Sequence, residues 1–217
     1  MEVLNLKCDK NSMLLYAVTD RLWLGDKTLA MDVEEVLKGG ATFIQLREKH
    51  MEDTEFLKEA KEIKALCKKY NVPFVINDNV HVAIACDGDG VHVGQEDMEV
   101  LDVRKKIGEN KILGVSVETV EQAILAEKNG ADYLGVGAMF STSTKLDAYD
   151  VSKEELKKIC DSVSIPVVAI GGINENNIME LKGTRVNGVA VISALFAQKD
   201  IKAATEKLLN LSKDMVK

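Results

Sequence analysis

The chain has 217 residues with a formal net charge of −7; 46% of them are hydrophobic and 29% charged. That length supports one globular domain with a sizeable core, and the acidic balance argues against a nucleic-acid surface. No apolar stretch approaches the roughly 20 residues of a bilayer-spanning helix, and the N-terminus MEVLNLKCDKNS lacks a basic region leading into an apolar run, so neither a membrane span nor a signal peptide is expected.

After a short N-terminal extension, residues 1–12, a first strand is expected over Leu14–Thr19, running into Asp20 and Arg21. A helix over Asp32–Lys38 is closed by Gly39-Gly40. The second strand, Thr42–Leu46, leads into Gln45, Arg47 and Lys49, which alternate with a strand's period of two and can face one way while the strand geometry lasts. Two cations and an amide at the end of a buried strand suggest an anion site, with Arg47 offering a planar fork of donors and Lys49 a point charge. Solvated surface charges are the alternative. The clearest helix, Asp53–Tyr70, repeats Phe56, Ala60, Ile63 and Cys67 at intervals of three and four.

Strand three, Pro73–Ile76, leads to Asn77 and Asp78 and a helix over Val80–Cys86. Strand four, Gly90–Val93, contains His92 and is followed by Gly94 to Asp97, then a helix over Met98–Ile107 closed by Gly108. Strand five, Ile112–Val115, precedes Ser116 and a helix over Val120–Asn129, followed by Gly130. Strand six, Tyr133–Val136, runs through Gly137 to the polar run Ser141–Lys145. A helix over Lys153–Ser162, strand seven over Val167–Ile170, Gly171-Gly172 and a helix over Glu175–Leu181 come next. Strand eight, Gly188–Ile192, ends at Ser193, and a last helix covers Ile201–Leu211. The only prolines, Pro73 and Pro166, stand where strands begin and no ladder donor is lost.

Eight βα units with nearly continuous apolar strands predict a single closed (β/α)8 TIM barrel over residues 1–217. A doubly wound open sheet would carry a glycine fingerprint after its first strand, where Thr19-Asp20-Arg21 stands instead. Aromatic residues are only 5% of the chain, so branched aliphatics and alanine must fill the interior. Cys8, Cys67, Cys86 and Cys160 show no metal-type spacing. Cys67 and Cys160 fall in helical patterns as buried free thiols, which fits a reducing cytoplasm.

Barrel active sites are built at the C-terminal ends of the strands. Asp78 and Asp97 can each cap the following helix. Taken together they set two carboxylates across one pocket beside Arg47 and Lys49, an oxygen-ligand set suited to Mg²⁺ and phosphate oxygens. Gly171-Gly172 and Ile192-Ser193 occupy the usual phosphate position of such barrels, or else form a tight turn. Ser141 to Val151 reads as a long loop of the kind that closes over barrels, and Thr142, Thr144 and Lys145 lie on it. His92 reads as a pocket-wall residue, and His50 and His81 as peripheral. No Ser/His/Asp or Cys/His pairing supports nucleophilic catalysis. With net charge −7, positive potential must be local, built from a few side chains and backbone N–H groups.

The segments YAVTD (16–20), QLREK (45–49), IND (76–78), DGVHVGQEDM (89–98), GVS (114–116), STSTK (141–145), AIGGI (169–173) and VIS (191–193) resemble, in order, those of the thiamine-phosphate synthase family. The resemblance implies condensation of hydroxymethylpyrimidine diphosphate with hydroxyethylthiazole phosphate to give thiamine phosphate and pyrophosphate. It implies Gln45, Leu46, Arg47, Glu48, Lys49 and Asn77 as pyrimidine-diphosphate contacts, Asp78 and Asp97 as Mg²⁺ ligands, and Ser116 as a contact to the pyrimidine substrate. It places Thr142, Ser143 and Thr144 on a thiazole-phosphate loop, Lys145 on the diphosphate, and Gly172, Ile192 and Ser193 at the thiazole phosphate. Arg47, Lys49, Ser116 and Lys145 are the implied catalytic residues. The partners implied are these two small substrates, with no nucleic acid and no membrane, and a homo-oligomer is left open. Ala138 and Ser141 depart from the family, standing where prolines are usual, which should loosen the loop in the unbound state. Three other readings remain: a thiazole tautomerase-like barrel, a non-catalytic thiamine-phosphate binding protein, and a phosphate-sugar isomerase barrel. The first need not keep the metal and diphosphate residues, and the last would need an acid/base pair that the sequence does not offer.

Overall fold

A computed structural model describes residues 8–141 and 151–217 of the protein. Eight parallel strands close into a barrel: β1 (Leu15–Val18), β2 (Phe43–Leu46), β3 (Phe74–Asn77), β4 (Gly90–Val93), β5 (Ile112–Val117), β6 (Tyr133–Val136), β7 (Val167–Ile170) and β8 (Gly188–Val191). Pairing of Leu15 with Val189 and of Tyr16 with Ala190 closes the ring. Helices α1 (Leu29–Lys38), α2 (Asp53–Tyr70), α3 (Val80–Ala85), α4 (Val100–Ile107), α5 (Val120–Lys128), α6 (Lys153–Ser162), α7 (Ser193–Phe196) and α8 (Ile201–Met215) follow the strands. This is the expected TIM barrel.

Side chains alternate across each strand and sort into two cores. Ile44, Leu46, Ile76, Val91, Leu113 and Leu134 pack outward against helix residues such as Phe56, Ala60 and Ile63. Tyr16, Val18, Phe43, Val75, Ile112, Tyr133, Val168 and Ala190 fill the barrel interior. Its widest side chains are three rings, with centroids 4.6 Å apart for Tyr16–Phe43, 5.8 Å for Tyr16–Tyr133 and 5.5 Å for Phe43–Tyr133. These three aromatics fill the barrel centre, while Phe56, Phe74 and Phe196 belong to the outer core. Cys8, on the segment before β1, packs against this inner cluster. Cys67 is buried and Cys160 half-buried, and burial pushes both thiols well above the usual range.

Room for the rings comes from missing side chains. A Cβ on Gly114 would lie 2.1 Å from Tyr133 Cζ and 2.5 Å from His92 Nδ1. Both neighbours are held in the barrel centre, so neither can yield cheaply. Gly114→Ala is expected to cost about 1–3 kcal/mol or more through overpacking, read as a lower urea midpoint at unchanged slope.

The element ends differ from the sequence expectation for local reasons. Helix α1 begins three residues early, at Leu29, because Thr28 caps it and accepts from Met31 N at 3.3 Å. The expected helix over Glu175–Leu181 is only a 3-10 turn, Ile178–Leu181. Asn177 Oδ1 takes the Asn174 N–H at 2.8 Å and Asn174 Oδ1 takes the Asn176 N–H at 2.9 Å, side-chain bonds that compete with a helix start. Helix α8 runs past Leu211 to Met215, where Ser212 donates to Leu14 O and Met215 is buried. Helix α7, between β8 and α8, has no expected counterpart.

Candidate active site

The described residues among those singled out at strand ends gather on the C-terminal rim of the barrel. Strand β2 ends at Leu46, so the alternation places Gln45 inside but does not carry on to Arg47 and Lys49. Gln45 is 4% exposed. The Leu46 side chain points the other way, into the outer core, and only its backbone can meet a ligand. Arg47 is set by two contacts with the β1 end: its N–H donates to Thr19 Oγ1 at 3.0 Å, and Nη1 lies 3.4 Å from Asp20 Oδ2. The Glu48 carboxylate accepts from Arg21 Nε at 2.8 Å, and Arg21 also pairs with Glu59. Burial, reinforced by Glu59, pushes the Glu48 carboxyl up to about 7 against the pull of Arg21. Glu48 thus ties β2 to the β1 loop and to α2. Lys49 is exposed and lines, with Asn77, Asp78, Met51 and Met98, a cleft of ≈ 530 Å³; His50 and His81 form part of its exposed wall.

The two aspartates are not helix caps. Helix α3 is capped by Asn79, whose Oδ1 accepts from Val82 N at 2.9 Å, and the N-cap of α4 is Glu99, with no side-chain bond. Asp78 instead adopts a left-handed backbone, φ 59, and donates its N–H to His92 O at 2.8 Å, which carries the β3–β4 pairing one residue past the strand. Such conformations in non-glycine residues cluster at functional sites. Asp97 Oδ2 accepts from Gly94 N at 2.7 Å, folding the turn after β4 so that its carboxylate faces Asp78. Burial first, then the hydrogen bond and repulsion from Asp97, push the Asp78 carboxyl up to about 7; Asn77 and Arg47 pull it down. Among the described residues no group of three potential His, Cys, Asp or Glu ligands forms, so this site offers two carboxylates. Two carboxylates beside a guanidinium are a donor set that a hard cation with anionic oxygens on its far side would fit.

Ser116 lies within β5, not after it, because the strand runs two residues beyond the expected end. It terminates a string of buried polar contacts. Gln45 Nε2 donates to Tyr16 Oη at 2.6 Å, Tyr16 Oη is 2.7 Å from Tyr133 Oη, Tyr133 Oη is 2.9 Å from His92 Nδ1, and His92 Nε2 is 2.9 Å from Ser116 Oγ. Burial pushes His92 down to about 4, so it is neutral, in keeping with a wall residue. Tyr16 and Tyr133 had no expected role. The signal was present in their strand parity, since each shares the inward face of its strand.

Across the rim, Gly137, Gly171 and Gly172 interlock. A Cβ on Gly137 would fall 2.0 Å from Ile170 O, and one on Gly172 would fall 2.6 Å from Ser141 O. Gly171 and Gly172 also take φ of 98 and 63, which glycine adopts without steric cost. Met139 N and Phe140 N bond to Ile170 O and Gly171 O at 2.9 and 3.1 Å, and Val151 N bonds to Ala138 O at 2.8 Å. The Gly137–Ala138 peptide bond is cis. Thr142, Ser143, Thr144 and Lys145 lie outside the described residues, as do residues 1–7 of the expected extension. After β8, half-buried Ile192 touches the inner cluster and exposed Ser193 opens α7, the short extra helix that accompanies phosphate sites in many barrels.

The sequence profile described as thiamine monophosphate synthase matches residues 15–195. The chain is similar to the thiamine-phosphate synthase of Ruminiclostridium cellulolyticum, at 54% identity over 91% of this chain and 94% of the relative. It is similar to that of Clostridium tetani at 50% identity over 94% and 95%. Among solved structures, a thiamine phosphate pyrophosphorylase from Pyrococcus furiosus superposes with a TM-score of 0.88 at 43% identity, covering 96% of this chain and 99% of that one.

Proposed function

The chain belongs to the thiamine monophosphate synthase family, and from that membership we propose how its rim joins hydroxymethylpyrimidine diphosphate to hydroxyethylthiazole phosphate, releasing pyrophosphate and forming thiamine phosphate. It is an enzyme, a transferase of thiamine biosynthesis acting on small-molecule substrates.

The observation that carries the assignment of roles is the Asp78–Asp97 pair beside Arg47. We assign the pair to Mg²⁺, which two carboxylates fit when diphosphate oxygens and water complete the shell. When bound, the ion would neutralise charge on the diphosphate leaving group. Arg47 and Lys49 stabilise that same developing charge, Arg47 from a position preset by Thr19 and Asp20. Lys145, by its match to the family motif, is assigned to the diphosphate, and Thr142, Ser143 and Thr144 to the thiazole phosphate. Asn77 holds the diphosphate end beside the metal pair. Gly172, Ile192 and Ser193 hold the thiazole phosphate on the β7–β8 side, and Gln45 and Ser116 hold the pyrimidine. Leaving of the diphosphate makes the pyrimidine methylene carbon cationic. The thiazole nitrogen already carries its lone pair, so the bond forms without a general base, and the neutral buried His92 agrees with that. What remains for the protein is alignment of the two substrates and stabilisation of the leaving group. The four free thiols suit a cytoplasmic enzyme.

Purified protein given both substrates and Mg²⁺ is expected to release pyrophosphate and accumulate thiamine phosphate in equal amounts. Release no faster than in a protein-free control would refute the assignment. A tautomerase-like activity would instead alter the thiazole phosphate with no pyrimidine present.

A further inference from the structure

The string Gln45–Tyr16–Tyr133–His92–Ser116 draws one residue from each of five strands and has a direction. Each hydroxyl carries one proton and a neutral imidazole carries one; Tyr16 and Tyr133 are buried, and with both phenol protons spent inside the string it has two self-consistent polarities. In the first, Gln45 donates to Tyr16, Tyr16 to Tyr133, Tyr133 to His92 Nδ1, and His92 Nε2–H to Ser116. In the second, every bond is reversed, and Ser116 spends its proton on His92. The Gln45 amide presents Nε2 to Tyr16 at 2.6 Å, which starts the first. The surroundings favour it too. Among the described residues, no side chain other than His92 bonds to the Ser116 hydroxyl, so in the first polarity its proton stays free for a ligand. The second polarity would leave Ser116 only lone pairs to offer, whereas the first leaves it a donor for an acceptor on the pyrimidine substrate.

We propose that this string is a positioning device running from Gln45 to Ser116, which locks His92 as the Nε2–H tautomer and leaves the Ser116 proton as a donor to the bound substrate. Tyr16, Tyr133 and His92 are the positioning residues, and the proposal rests on the placement of Ser116 at the pyrimidine substrate. The string is built into the barrel, not incidental to it. Gly114 has no Cβ where one would lie 2.5 Å from His92 Nδ1, and a Cβ on Gly135 would approach His92 Cε1 to 3.3 Å. The Tyr16 ring packs on Phe43 at 4.6 Å, and Tyr133 packs edge-on against both. His92 is buried with each ring nitrogen against one hydroxyl, so the ring is held in place from both sides. A buried polar string with every link satisfied rigidifies its ends.

The test begins with the full chain labelled with ¹⁵N-histidine, observed through long-range ¹H–¹⁵N couplings at pH 7.5, with the His92 signals identified by their loss in His92→Gln. The expected result is a neutral ring protonated at Nε2. A ring protonated at Nδ1, or an imidazolium, would overturn the proposal. The second arm is Tyr133→Phe, which removes the link to Nδ1 while keeping the ring. We expect kcat to fall about 10-fold with KM for the pyrimidine diphosphate changing less, and the His92 signals to shift to a tautomer mixture. A folded Tyr133→Phe protein with wild-type kcat would also overturn it. If that variant does not fold, the wild-type spectrum decides alone. Wild-type protein that shows the Nε2–H ring but releases no pyrophosphate would refute the proposed function and leave the string standing.

Discussion

Replacing either rim aspartate with asparagine is expected to lower kcat by about 10²–10³-fold, the scale of losing one preorganised charge stabiliser. Asparagine is the informative substitution at both positions. At Asp78 the backbone is left-handed, φ 59, which asparagine tolerates and alanine does not. At Asp97 an amide oxygen can still accept from Gly94 N and keep the turn. The lost quantity is then charge rather than shape. In the metal-free protein Asp78→Asn should also raise stability at pH 8. The Asp78 carboxyl is pushed up to about 7 from an ordinary value of 3.8, so the folded state holds a proton that the unfolded state has released between those values. Stability from this group is therefore greatest below about 4 and falls as pH rises through about 7. The same proton would compete with the Mg²⁺ proposed for this pair. The Mg²⁺ concentration for half-maximal rate should rise by up to about 10-fold per pH unit below 7. Titrations of rate against Mg²⁺ at pH 6 and pH 8 measure this. Wild-type rates and metal response in both asparagine variants would remove the metal assignment.

The second large effect is on stability and lies at the opposite end of the barrel. Arg104 on α4 has a side chain only 8% exposed, and its guanidinium is fully committed. Nη1 donates to Gly108 O and Lys111 O, both at 2.8 Å, Nε and Nη2 to Gly130 O at 3.1 and 2.6 Å, and Nη2 to Asp132 Oδ2 at 2.6 Å. Asp132 in turn accepts from Leu113 N at 2.7 Å. One side chain thus satisfies the carbonyls that enter β5 and β6. Arg104→Met keeps the stem and removes the fork, which leaves the half-buried Asp132 carboxylate and three carbonyl oxygens without this partner. The expected loss is about 3–5 kcal/mol, read from chemical denaturation, with kcat of the folded protein unchanged because the N-terminal face is remote from the rim. A loss below 1 kcal/mol would show that water replaces the guanidinium freely.

Most of the barrel was legible because parallel strands buried on both faces leave continuous apolar runs, and helices leave a 3.6-residue repeat. The rim was legible for a related reason: a polar residue at the end of an apolar run must lie at a strand end. Less legible was which way those residues turn. The alternation that places Gln45 inside stops with the strand at Leu46, so Glu48 went to Arg21 and Arg47 to Asp20 through loop geometry that no periodicity encodes. The helix expected at Glu175 failed because Asn174 and Asn177 bond locally, a competition invisible to hydrophobic spacing.

The order of elements, the closed parallel architecture and the cast of rim residues follow from the sequence by itself, because each depends on local period, local turn chemistry or a contiguous motif. Capping and metal binding are equally consistent with Asp78 and Asp97 as letters. Only the folded chain frees both from capping, by giving that task to Asn79 on one side and starting α4 at Val100 on the other, and only closure of the sheet brings the two carboxylates face to face. The interior string is likewise a product of closure. Tyr16 and Tyr133 are 117 residues apart and meet because β1 and β6 lean into one barrel whose register sets both hydroxyls at the same height. Contacts of that range are fixed by strand pairing summed around the ring, which no single segment of sequence contains.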